Sequence, residues 1–282
     1  MWLLLRTVSE KDSGDLMDML KAFMERLFSV MKIVIFLGAN LLVLVIARSL
    51  AGVEYAHIVA SLVSMVLNYL FVMVIEKNRF SFFAAGEGIT NLGQGILCAI
   101  LTYVPVCILE YGLGNLTGDF KPNTVNLAAA AVSGVGYGLF PALLIYGYVF
   151  QMIRNDLGLY VAYPVCPLLY VAYTGVFGKD FIRDMLQRLD FTSSEFFMSF
   201  FTVLLIGFIG VMLITAYGDM RSTAVYFVVV GILERVASTI FTLTYRGRPF
   251  SDGSEMYIGL FCPIILFFIA MYMVIKVHVD EK

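Results

Sequence analysis

The 282-residue chain is 60% hydrophobic and only 14% charged, with a mean hydropathy of +0.88. A soluble domain clothes its surface with about a quarter charged residues, so this composition excludes a water-soluble globular protein. Lys and Arg total 19 against 21 Asp and Glu, a net charge of -2 that leaves no basic excess for nucleic-acid phosphates.

The opening run Trp2–Leu5 is too short for the apolar core of a signal peptide. From Asp15 onward Leu16, Met19, Leu20, Phe23, Met24, Leu27 and Phe28 recur at helical spacing, with Asp18, Lys21, Glu25 and Arg26 between them. Residues 1–28 therefore read as an amphipathic segment lying along the membrane surface, a partner helix being the other occupant such a face could take. Residues 29–282 read as a single integral membrane domain. A span needs about 20 apolar residues, and about eight such stretches follow. They fall at 29–50, 57–76, 88–112, 124–152, 158–177, 196–217, 223–245 and 256–278.

The fold class expected is an all-α polytopic membrane bundle. Pro141 inside the long fourth stretch predicts a kink or a tilt. Between the fifth and sixth, Phe181, Ile182, Met185, Leu186 and Leu189 keep helical register, predicting a second interfacial helix over 178–195. Thr192 and Glu195 have the spacing of a capping box. Lys and Arg are more frequent on the side that holds both termini, which places the termini in the cytoplasm. The location expected is the plasma membrane of a bacterium.

Metal chemistry has little to stand on. Cys98, Cys107, Cys166 and Cys262 sit singly in apolar runs, and His57 and His278 sit at span ends, so no metal and no cofactor are expected. Charges at depth are the sharper signal, because each costs at least about 2.5 kcal/mol on insertion scales. Glu234 and Arg235 fall midway along the seventh span, and Glu110 closes the third. They read as a polar site, or as Arg235 paired with Glu110 to hold two spans together. Val135-Gly136-Tyr137-Gly138 has the look of a potassium-channel filter, but Gly134 and Leu139 flank it where threonine and aspartate belong. Gly134 and Gly138 instead make a small-xxx-small surface for a neighbouring helix. Tyr217-Gly218-Asp219 loosely resembles an aspartyl-protease motif but has no second aspartate inside a span. Asn40, Asn68, Asn91 and Gln94 read as hydrogen-bonding glue between helices.

The stretch 140–158, with Gly147, Tyr148, Val149, Phe150, Gln151, Arg154 and Gly158, and then Ala162, resembles the signature region of the CAAX-protease and bacteriocin-processing (CPBP, or Abi) family of intramembrane proteases. Gly207, Gly210 and Gly218 fit the family's next block, and the likeness covers about 130–235. The resemblance implies a CPBP-like core of about eight spans. It also implies a catalytic centre of paired glutamates, an arginine, histidines and an asparagine. In register, the glutamates fall on Pro141 and Ala142, the arginine on Tyr146, the Phe-x-x-x-His motif on Tyr170 and Thr174, and the His-x-x-x-Asn motif on Phe227 and Gly231.

None of those residues is a base near neutral pH; free phenols ionise only at about pH 10. The chain therefore reads as a family member without hydrolysis: a binding, scaffold or regulatory partner of another membrane protein or hydrophobic peptide. Its vestigial pocket would be lined by Pro141, Ala142, Tyr146, Tyr170, Thr174, Phe227 and Gly231. Two other readings are a transporter or lipid flippase built on Glu234 and Arg235, with Pro141, Pro164 and Pro167 unwinding helices, and a protease with displaced catalytic residues.

Overall fold

The structure is a computed structural model that describes residues 2–77, 88–112, 116–118, 124–175, 194–245, 248–250 and 261–280. Hydrocarbon offers no water to a peptide group, so an apolar chain satisfies its backbone within helices. Helix α1 (Trp2–Leu70) is continued by a π-helical turn, Phe71–Ile75. Next come α2 (Gly88–Gly112) and α3 (Thr124–Pro141). Beyond Pro141 the chain stays helical but wound more widely, through Ala142–Val149, Phe150–Met152 and Ile153–Leu157. Then follow α4 (Leu159–Tyr173), α5 (Ser194–Tyr217), α6 (Met220–Ile240) and α7 (Phe261–Asp280).

Among the described residues, four helical stretches are long and apolar enough to cross a membrane: Met19–Gly52, Tyr55–Ile75, Val125–Leu157 and Phe200–Tyr217. Leu159–Tyr173 and Ile264–Ile275 are shorter apolar helices. The protein is a helical membrane protein, and side chains such as Leu42, Val45, Val66, Phe268 and Tyr272 turn outward from the bundle.

Two boundaries differ from the sequence reading. The amphipathic N-terminal segment is helical but not separate, since α1 runs on without a break until Gly52 (φ 74°). Residues 15–37 contain neither Gly nor Pro, so nothing stops the helix between the amphipathic stretch and the first apolar one. At the far end, α6 stops at Ile240 instead of continuing to 245. Phe241-Thr242-Leu243-Thr244-Tyr245 alternates aromatic or branched apolar residues with threonine, a strand pattern, and it forms β2 (Phe241–Tyr245). β2 pairs antiparallel with β1 (Leu116–Gly118), Leu116 opposite Leu243, and with β3 (Arg248–Phe250), Leu243 opposite Phe250. The interfacial helix expected over 178–195, with Thr192, lies outside the described residues except where α5 opens at Ser194.

α3 and its continuation form the axis of the bundle, buried without interruption from Phe140 to Ile153. Its chief partner is α6, and Gly134 and Gly138 make the approach possible, as the small-xxx-small reading expects. A Cβ on Gly138 would overlap the Phe227 carbonyl, and one on Gly134 would lie 2.6 Å from the Gly231 carbonyl oxygen. Gly136 faces the opposite way, against His57 and Ile58 of α1. All of Val135-Gly136-Tyr137-Gly138 is α-helical, so its carbonyls take part in helix hydrogen bonding and no filter is present.

Gly138→Ala is expected to destabilise the protein by about 1–3 kcal/mol, because two backbones must move apart. Gly93→Ala, on α2 with open space around it, should be neutral or stabilising by up to about 1 kcal/mol. Denaturant unfolding of the two variants in detergent checks the contrast.

Candidate functional site

The site sits where α3 loses its regular winding. Gly147 has ψ -109°, far from helical, so peptide groups on either side lose their helix partners. Asn68 of α1 supplies them. Its Nδ2 donates to the Leu143 carbonyl at 3.3 Å, and its Oδ1 accepts from the Tyr148 N–H at 3.0 Å. This amide is the glue expected of it, bracing α1 against the widened turns that follow Pro141. The kink expected from Pro141 therefore falls six residues later, at the residue with no side chain to resist it. α4, by contrast, is continuous through Pro164 and Pro167, so it is not unwound.

Three of the seven expected pocket residues meet. The Tyr146 and Phe227 rings lie 4.9 Å apart, and those of Tyr170 and Phe227 lie 5.0 Å apart. Tyr146 is 0% exposed and Phe227 1%. The Tyr146 hydroxyl donates to the Gly207 carbonyl at 2.7 Å. Gly207 and Gly210 of α5 leave the space the rings occupy: a Cβ on Gly207 would lie 3.2 Å from the Tyr146 oxygen, and one on Gly210 would lie 2.6 Å from the Phe227 ring. The centre is thus a packed aromatic cluster and not an open, hydroxyl-lined pocket.

The remaining four residues serve the helices. Pro141 ends α3, and Ala142 is buried at the start of the widened turns. The Thr174 hydroxyl donates to the Tyr170 carbonyl at 2.7 Å, one turn back, and Gly231 is pressed against Gly134 and Gly138.

The charged residues lie elsewhere. With α6 ending at Ile240, Glu234 and Arg235 belong to its final turns and not to its middle. Arg235 lies over the Tyr137 ring, its guanidinium carbon 3.7 Å from the centroid. His57 stacks on Tyr137 at 3.9 Å, with Phe140 and Tyr173 at 6.2 and 6.5 Å from the imidazole. The Glu110 side chain falls outside the described residues, so its expected pairing with Arg235 does too. The Arg235–Tyr137 contact does not appear in the sequence reading.

His57 likewise reads in the sequence only as a span-end residue. A signal exists: His57, Ser61, Ser64 and Asn68 follow one another at helical spacing along an otherwise apolar helix, and all four are buried. A polar stripe on an apolar span marks the side that faces protein. Asp219 also has a structural post. It caps α6, accepting the Arg221 N–H at 2.9 Å, the Arg221 Nε at 2.8 Å and the Asn91 amide at 3.3 Å. Near the other end of the bundle from His57, Glu76 accepts from Lys32 Nζ at 2.8 Å and from the Tyr148 hydroxyl at 3.0 Å. Among the described residues no group of three or more His, Cys, Asp or Glu side chains is placed to hold a metal ion.

Comparison of the chain with protein-family models, with curated proteins and with solved structures gave no match.

Tyr146→Phe removes one hydroxyl and keeps the ring, and should cost about 0.5–1.5 kcal/mol. Tyr146→Ala empties a fully buried ring site and should cost about 3–5 kcal/mol. Comparable losses in detergent unfolding would contradict a packed centre. Asn68→Leu strands a donor and an acceptor at the break and should cost about 1–3 kcal/mol, with faster backbone amide exchange at 143–148 as the local readout.

Proposed function

We propose that the chain is a non-catalytic multi-pass membrane protein with a CPBP-like core of about eight spans, acting as a binding or regulatory partner of another membrane protein or hydrophobic peptide. One observation carries this reading: the Tyr146, Tyr170 and Phe227 rings, in contact with one another, stand where the family pattern puts its arginine and two of its motif residues. Hydrolysis in a membrane needs a base within hydrogen-bond reach of a water, and space for that water. Here the nearest hydroxyl donates to the Gly207 carbonyl, and Pro141 and Ala142 stand in place of the acid pair.

With its centre filled by its own side chains, the protein would engage a partner from its lipid-facing surface. The first limb of α1 offers such a surface, since Leu42, Val45 and Ile46 turn outward. Association between spans relies on packing and hydrogen bonds because lipid is as apolar as leucine. The transporter reading draws less support. α4 is not unwound, and the break in α3 has its peptide groups taken up by Asn68.

The purified protein is expected to leave transmembrane peptides intact, prenylated ones included. A photo-crosslinking residue at Leu42 or Val45, introduced in cells, should yield one discrete protein adduct that the same residue at fully buried Ile206 does not. Peptide cleavage abolished by Glu234→Gln would overturn the reading in favour of a displaced catalytic centre. Solute uptake by proteoliposomes abolished by that substitution would overturn it in favour of transport.

A further inference from the structure

α1 outruns both the bundle and the bilayer. Its apolar stretch Met19–Gly52 is 34 residues long, about 51 Å at 1.5 Å per residue, whereas a bilayer with its headgroups is about 40–45 Å thick. The bundle ends at the level of Ser29 and Lys32. Lys32 Nζ lies 2.8 Å from Glu76, just past the second span Tyr55–Ile75, and the Ser29 hydroxyl donates to Asp156 at 2.6 Å, where the widened turns end at Leu157. Every residue from Met19 to Phe28 is exposed, Phe23 at 62% and Phe28 at 60%. Nothing bends this limb aside, since α1 leaves helical angles only far away, at Gly52. The limb is about 15 Å long and a headgroup layer about 5–8 Å deep, so the limb passes into water with large apolar side chains uncovered.

Those side chains are spaced for a second helix. Leu20, Met24, Leu27, Met31, Val34 and Gly38 follow one another in steps that alternate four and three residues, and the series continues to Val45. These residues are exposed, on the side of α1 away from the face that buries Ser29, Ile33, Phe36, Asn40 and Leu44. A Cβ on Gly38 would meet nothing within 4 Å, so this side is bare at mid-span as well. An apolar seven-residue repeat sustained over about three to four heptads is the pattern of two helices wound round each other. Within the lipid such a pattern is easily met, because nearly every residue there is apolar. On the water-exposed limb it is selective: Lys21, Glu25 and Arg26 all fall outside the series.

Whatever covers this face must itself pass from lipid into water beside α1, which lipid tails cannot do. A second copy of the chain does. Copies inserted in one orientation set their α1 helices parallel, so limb meets limb, span meets span and each series faces itself in register. The series carries no charge between Leu20 and Val45, so self-pairing sets no like charges against each other in the seam. We infer that two copies pair through the outward face of α1, as a parallel two-helix coil that starts in water and continues into the membrane. The pairing names a partner for the surface proposed above and rests on that reading only in taking this surface as the one that binds. It holds whether or not the aromatic centre is inert.

Single cysteines on the limb test the pair, in full-length protein whose Cys98, Cys107, Cys166 and Cys262 are replaced by alanine. Membranes from cells making two differently tagged copies are oxidised, and the band at twice 31.4 kDa is scored for both tags. Leu20→Cys, Met24→Cys and Leu27→Cys are expected to cross-link at least about fivefold more than Ala22→Cys and Arg26→Cys, whose Cα atoms would lie beyond disulfide reach. In protein with its native cysteines, Leu20→Asp with Leu27→Asp changes two exposed side chains and should leave the melting profile in place. Self-association of that variant, followed by sedimentation in detergent, should weaken at least about tenfold. Cross-linking that is absent from the series or equal on both sides, or a folded double variant that associates as before, overturns the pair. A Val45 photo-adduct to a different protein, with no self-cross-link on the limb, overturns the pair and leaves the binding reading standing. Peptide cleavage by the purified protein would do the reverse.

Discussion

The crossing of α3 and α6 fixes the positions of everything else of interest. Gly134, Gly138 and Gly231 bring two backbones into contact, and in a bilayer such contact is what holds helices together, because apolar side chains gain nothing by leaving lipid. Gly231 lies one turn after Phe227 and one turn before Arg235 on the same helix face. Once the crossing is set, Phe227 is delivered to Tyr146 and Tyr170, and Arg235 is delivered to Tyr137. A wider crossing would loosen both groups at once. The aromatic centre and the arginine–tyrosine–histidine stack are thus two products of a single close approach.

Those products have opposite character. The aromatic centre is self-sufficient: its rings touch one another and the Tyr146 hydroxyl is satisfied by a backbone carbonyl. The stack around His57 is less complete, since neither buried imidazole nitrogen has a hydrogen-bond partner among the described residues. Packing explains the first completely and the second only in part.

The sequence conveyed the helices well, since long apolar stretches broken by polar segments have few ways to fold in lipid. The stretch 88–112 coincides with α2, and Gly134 with Gly138 announced a helix crossing. The end of α6 was misplaced because Phe241–Tyr245 is apolar enough to extend a span, although its alternation is that of a strand. The structure brings the Tyr146, Tyr170 and Phe227 rings into contact, but how closely they fill the space between the helices was not legible. Whether three rings line a space or fill it depends on Gly207 and Gly210 of another helix, and no local pattern records that distance. Arg235 meeting Tyr137 was hidden for the same reason. The polar stripe from His57 to Asn68 was legible in principle, and it marks the side of α1 that faces protein.

The amide of Asn68 has a bearing on insulation. A helix interrupted inside a bilayer ordinarily recruits water to its bare peptide groups, and a file of such waters can conduct protons. At Gly147 one side chain occupies both positions, giving a proton to Leu143 and taking one from Tyr148. At the interruption, protein and not solvent thus supplies the partner for these two peptide groups.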